Sequence, residues 1–268
     1  MTRQCQVLRV FMRGEVGGNH LGVVNDLTDL TGDDMLRIAA QLGFSETVFV
    51  DEIAVPPHCR IFTPTTEMPF AGHPLVGVAW FLNTSGRAAD WLTCQIGKVQ
   101  IDFTDDQSWI ATPLNQSVAS IEVDAGVLGL PEVVSAFEVL MPLRYTVVEL
   151  TSPEAVHMYD PVEAVLAGSQ DGAHMLVYAR SAGSVRSRFF APLSGIFEDP
   201  ATGSAAVALA ARLSHSGEAN GSLTVSQGEE VGYSSTILVS WSDEVVKIGG
   251  QVVHDEIRFL PGPPELGH

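Results

Sequence analysis

Two stretches of the chain, 128 residues apart, follow one plan. Arg60-Ile-Phe-Thr-Pro64 matches Arg188-Phe-Phe-Ala-Pro192. Each is followed by a Phe, a glycine-containing turn and an apolar run, one ending at Leu82 and the other near Leu213. One such pair could arise by chance, but the flanking elements recur in the same order, which points to duplication. The offset is far too long for a solenoid and close to half of the 268 residues. The expectation is therefore an α+β chain of two similar halves, 1–116 and 117–268, with the last strand able to pair back with the first half. Each half would be a curled, mainly antiparallel sheet wrapped around one buried helix, with the active site between them.

The local patterns fit that plan. Gln6–Met12, Leu21–Val24, Phe44–Val50 and Cys59–Phe62 read as strands. So do 91–94, 99–103 and 109–112, then 145–150, 174–179, 185–190, 223–227, 236–241 and 245–253. Thr31 reads as an N-cap with Asp33 and Asp34 in the first turn; Met35, Ile38, Ala39 and Leu42 share one helical face, and Gly43 is the stop. Pro161–Leu166 reads as a short helix. Pro74 and Pro200 are placed to open helices. Both of those helices are apolar nearly all round, as only a buried helix is.

Composition narrows the function. Apolar residues make up 46% and charged residues 17%, enough for a sizeable core. The net charge is −18, with the acids dispersed and no Lys/Arg cluster, which argues against nucleic acid and anionic membrane as partners. The start MTRQCQVLRVFM lacks a sustained apolar segment, and AAVALAA is too short to span a bilayer, so a soluble, cytoplasmic protein is expected. Cys5, Cys59 and Cys94 are odd in number and widely spaced, forming neither a disulfide framework nor a metal pattern; they are expected to be small buried hydrophobes.

Core packing leaves the starts of the two apolar helices unexplained. Gly72 and His73 precede Pro74; Asp199 precedes Pro200, followed by Gly203 and Ser204. Helix N-termini carry free N–H groups and positive potential, and glycine lets a ligand approach them. Two such ends facing each other would hold a carboxylate. Alternatively, Asp199 and Ser204 only cap their helix and His73 is a satisfied core histidine. Glu46 is the single charge in Phe44–Val50. It is either an edge-strand residue facing water or a partly desolvated carboxyl with a pKa raised toward the range of a general acid/base.

Gly18-Asn19, Gly43-Phe-Ser-Glu46, Arg60-Ile-Phe-Thr-Pro64 with Phe70-Ala-Gly-His-Pro74, and Glu198-Asp-Pro-Ala-Thr-Gly-Ser-Ala205 together resemble the phenazine-biosynthesis isomerase (PhzF-like) family, in the right order over nearly the full chain. The resemblance implies the diaminopimelate-epimerase fold and a cofactor-free, metal-free isomerase, a homodimer by family precedent, acting on a small-molecule carboxylate. Related proteins serve antibiotic biosynthesis. It assigns proton transfer to Glu46, with His73 and Asp199 as polar partners. Gly72, His73, Gly203 and Ser204 would hold the substrate through their amides, Ser45 would lie beside the base, and Asn19 would touch substrate. Epimerase relatives carry a cysteine at each helix start; here those turns have none, which argues against a two-thiol mechanism. His20 and Leu21 replace a more usual Pro and small residue and are expected to reshape the pocket. Epimerisation, hydrolysis or bond cleavage on the same scaffold, and ligand binding without catalysis, remain the competing readings.

Overall fold

The computed structural model describes residues 3–104, 106–114, 116–242 and 244–260. The first part of the chain runs β1 (Arg3–Met12), β2 (Asn19–Val24), α1 (Gly32–Leu42), β3 (Glu46–Asp51), β4 (His58–Phe62), β5 (Glu67–Met68), α2 (Gly72–Thr84), β6 (Trp91–Cys94), β7 (Gly97–Thr104), β8 (Gln107–Pro113) and β9 (Ser117–Ser120). Then follow α3 (Ala125–Leu128), β10 (Val133–Leu140), β11 (Arg144–Leu150), α4 (Pro153–Met158), α5 (Glu163–Gly168), β12 (Met175–Ser181), β13 (Ser184–Ala191), β14 (Ile196–Asp199), α6 (Gly203–His215), β15 (Asn220–Gln227), β16 (Ser235–Ser242) and β17 (Val245–Leu260). The fold is α+β, mostly sheet, and the described strands form one hydrogen-bonded network.

The strand pairings repeat. β2 runs parallel to β3, β3 antiparallel to β4, and β4 antiparallel to β5 and parallel to β6. β11, β12, β13, β14 and β15 reproduce those relations in turn. The register repeats too: Phe62 pairs with Thr47 and Glu67, Phe190 with Met175 and Glu198. In both places the matching arginine reaches across the hairpin, Arg60 to Glu67 and Arg188 to Glu198, by two hydrogen bonds each. β17 joins the two ends of the chain. It runs antiparallel to β1 from Arg3↔Leu260 onward and also pairs with β8 and β16.

Helices α2 and α6 are the cores around which the sheets curl. Leu75, Val76, Val78, Ala79 and Leu82 are out of water, as are Ala205, Val207, Ala208, Leu209 and Leu213. Each fully buried Val or Leu contributes about 1.5–3 kcal/mol relative to exposure. These helices need no amphipathic stripe because sheet and neighbouring helix cover them on every side. Helix α1 is different. Thr31 and Asp34 form a reciprocal capping box, and Gly43 ends the helix at φ +69°, a left-handed conformation that glycine adopts without a Cβ penalty.

Several elements depart from the sequence reading. Pro200 does not open α6, which starts at Gly203. The residue before a proline is driven to extended backbone, and Asp199 is held in β14 opposite Phe189, so the helix cannot begin until the strand has ended. β17 continues past residue 253 to Leu260 through Asp255, Glu256 and Arg258, because its pairing with β1 persists across two register irregularities to Arg3↔Leu260. The short strands β5, β9 and β14, the longer β10, and helices α3 and α4 carry too weak a periodicity to be read. All three cysteines are buried. No helix among the described residues is long and apolar enough to cross a membrane.

Candidate active site

The starts of α2 and α6 meet. A Cβ built on Gly72 would lie 2.9 Å from Gly203 Cα, and one built on Gly203 would lie 3.0 Å from Gly72 Cα. That reciprocity is the signature of a local two-fold relation. Neither helix has a side-chain cap. Thr202, at the N-cap of α6, gives its hydroxyl to Asp199 Oδ2 instead. The capping alternative for Asp199 and Ser204 is thus excluded, and the first N–H groups of two helices are left for another partner.

Glu46 opens β3, directly after Gly43-Phe-Ser, in a segment buried from Glu46 to Val50. It does not face water: 9% of the residue is exposed. His73, the second residue of α2, is 2% exposed, and its Nδ1 lies 3.2 Å from Glu46 Oε2. Glu46 Oε2 and His73 Nε2 have no aligned hydrogen-bond partner among the described residues. Burial drives the His73 pKa down to about 3, so the ring is neutral. Burial, and then the nearby Asp199 charge, push Glu46 well above the ordinary carboxylate value. With the imidazole neutral, the contact is not an ion pair, and burial favours the protonated form of the Glu46 carboxyl.

Asp199, the last residue of β14, is 3% exposed. Burial raises its pKa to about 6, against the opposing effect of hydrogen bonds from Thr202, Asn19 and Ser45. Asn19 is the bridge: its Nδ2 donates to Asp199 Oδ1 at 2.8 Å and to the Ala201 carbonyl at 3.1 Å, and its Oδ1 accepts from Ser45 Oγ at 2.9 Å. Gln227 Nε2 holds the same corner through the Asp199 carbonyl and Thr202 Oγ1. Ser204 Oγ accepts from Tyr145, whose phenol burial raises to about 12 and keeps neutral.

Glu46, Thr63, Tyr145, His174, Asp199 and Ser204 line one small cavity of about 30 Å³. Asn19 and Ser45 line a wider recess next to it, with His20 and Phe44. The eight positions expected from the sequence, Asn19, Ser45, Glu46, Gly72, His73, Asp199, Gly203 and Ser204, thus meet at one place. His20 does shape the recess, stacked on Phe44 at 5.7 Å, whereas Leu21 is packed in the core. Tyr145, Gln227 and His174 were not foreseen. Their only signal is a polar group in a segment that folds inward, which cannot be read without knowing which face is inside. Among the described residues no cluster of His, Cys, Asp or Glu could hold a metal ion.

A family model described as "Phenazine biosynthesis-like protein" matches residues 8–256. The chain belongs to this family. It is 31% identical over 242 residues to trans-2,3-dihydro-3-hydroxyanthranilate isomerase of Pseudomonas chlororaphis, covering 84% of this chain and 86% of that one. It is 32% identical over 243 residues to the enzyme of the same name from Pseudomonas fluorescens, with the same coverage. A crystal structure of a phenazine biosynthesis protein of the PhzF family from Enterococcus faecalis superposes with a TM-score of 0.82 at 22% identity, covering 97% of this chain and 100% of that one, which shows the shared fold. With relatives that are named isomerases, the chain is an isomerase-class enzyme.

Proposed function

We propose that the chain moves a proton between carbons of a small carboxylated, amino-acid-like molecule related to trans-2,3-dihydro-3-hydroxyanthranilate, with Glu46 as the proton carrier and no cofactor. The observation that carries this reading is the Glu46 carboxyl itself: buried, its Oε2 without an aligned hydrogen-bond partner among the described residues, and set beside the meeting point of two uncapped helix starts. A buried acid with an incompletely satisfied oxygen and no cationic partner destabilises the fold when ionised, which makes it a candidate for function.

In this account a substrate ammonium group drawn to Asp199 favours ionised Glu46, whose proton leaves to solvent. The carboxylate then removes a proton from an activated C–H bond. The electron pair enters the conjugated system of the substrate, and the new Glu46 carboxyl delivers the same proton to a second carbon. Amides of Gly72, His73, Gly203 and Ser204 hold the substrate carboxylate and the charge that develops. Return to the original carbon would be epimerisation. A two-thiol route is disfavoured because the three cysteines are buried elsewhere and the helix starts carry His73 and Ser204. The small cavity at Glu46 and the wider recess lined by Asn19 and Ser45 share Ile196, so together they give a ring-sized substrate room beside the carboxyl.

The test is incubation with trans-2,3-dihydro-3-hydroxyanthranilate, first in H₂O and then in D₂O. The reading expects a product of unchanged mass in H₂O, and in D₂O a measurable fraction that keeps the original hydrogen at the new carbon. Cleavage, addition of water or absence of conversion would overturn it.

A further inference from the structure

The repeated register gives Glu46 a counterpart. Phe62 and Phe190 hold the same place in the two matching arginine-to-proline stretches, and they pair with Thr47 and Met175 respectively. The residue before Thr47 is Glu46; the residue before Met175 is His174. The parallel strands agree. Glu46 lies opposite Leu21, and by the same register His174 falls opposite Tyr145, one position before the Thr146–Met175 pair. At the helix starts Gly72 matches Gly203 and His73 matches Ser204. The local two-fold through the glycine contact therefore places His174 across the cavity from Glu46, and both residues line it.

His174 is only partly buried, at the cavity wall rather than in the core. The hydrogen bond of its ring among the described residues is between Nε2 and Ser194 Oγ, at 3.1 Å. The ring lies 6.0 Å from that of Tyr145, which fixes its tilt against the cavity wall. Burial lowers its pKa, so the imidazole is neutral at neutral pH. A neutral ring has one donor and one acceptor nitrogen, and Ser194 can serve either, since a hydroxyl both gives and takes a hydrogen bond. The pair can thus offer an incoming group whichever role it needs. Nothing in the Glu46, His73 and Asp199 cluster uses it.

We propose that His174, backed by Ser194, binds a hydroxyl group of the substrate on the wall opposite Glu46, and so selects hydroxylated carboxylic acids over unhydroxylated ones. This rests on the reading of the cavity as the substrate site.

The test is titration calorimetry on the full chain with 3-hydroxyanthranilate and anthranilate, aromatic acids that differ by one hydroxyl. The wild type is expected to bind the hydroxylated acid at least about fivefold more tightly, the effect of one neutral hydrogen bond. His174→Leu should reduce that preference to within about twofold, while Glu46→Gln should leave it in place. As a measurement that needs no variant, the ¹⁵N resonances of the His174 ring in the wild type should shift with 3-hydroxyanthranilate and not with anthranilate. No binding of either acid, no preference in the wild type, a preference that survives His174→Leu, or unmoved resonances would each overturn the proposal. The two readings fail separately. Turnover with a preference independent of His174 sinks this one alone, and a His174-dependent preference without turnover sinks the proton-shift reading alone.

Discussion

Gly72 and Gly203 are packed against each other with no room for a methyl group on either: an added Cβ would come within 3.0 Å of the partner helix and within 2.8 Å of Ile248 Cδ1. The contact brings two positive helix ends to one point, a geometry that only hydrogen as a side chain permits.

Gly72→Ala and Gly203→Ala are each expected to destabilise by about 1–3 kcal/mol through overpacking against backbone that cannot rotate away. Ile248→Val should rescue only part of the loss, because it removes the Cδ1 contact and leaves the backbone one. Urea unfolding of the single and double variants measures this. Alanine variants within about 0.5 kcal/mol of wild type would mean that the helix starts are not in contact.

The buried carboxyls set a pH dependence of stability. A raised folded-state pKa in an acid means that the folded protein holds its proton more tightly than the unfolded chain does. The associated stability is present below the ordinary carboxylate value and is lost as pH rises. For Asp199 that loss runs from about 3.8 to about 6, and for Glu46 it extends further upward from about 4.5. Glu46→Gln removes the charge, so its melting temperature should exceed wild type by a margin that is small at pH 4.5 and grows toward pH 8. A margin independent of pH would show that Glu46 is not strained by ionisation.

Arg60–Glu67 and Arg188–Glu198 occupy matching places but differ in exposure, with side chains 34% and 38% accessible in the first and 8% and 7% in the second. Arg188 also donates to the Tyr159 carbonyl. Arg188→Met leaves a buried Glu198 charge unpaired, at a cost of about 3–5 kcal/mol. Arg60→Met should cost no more than about 1 kcal/mol. Equal shifts in thermal unfolding would contradict the difference in burial.

The repeat made much of this legible. Two arginine-to-proline stretches and two all-apolar helices are long-period signals, and they revealed the paired sheets before any contact was known. Glu46 stood out because a charge inside an apolar strand has few explanations. Asn19 was found only through the resemblance, since nothing local in Gly-Asn-His announces a bridge between Ser45 and Asp199. Tyr145 and His174 were hidden because strand alternation reports burial only after the inward face is known, and that face is set by partners far away in sequence. The start of α6 was misplaced at Pro200 for a related reason: the pairing of β14 with β13, not local propensity, decides where the helix begins.

The central claim is that Glu46 carries the proton, and the most direct test is Glu46→Gln assayed with trans-2,3-dihydro-3-hydroxyanthranilate beside a binding titration with 3-hydroxyanthranilate. Loss of the carboxyl should lower kcat by about 10²–10⁴-fold, the usual contribution of a general acid/base, while the dissociation constant changes by no more than a few fold. A variant that binds normally and keeps a kcat near that of the wild type would contradict the account.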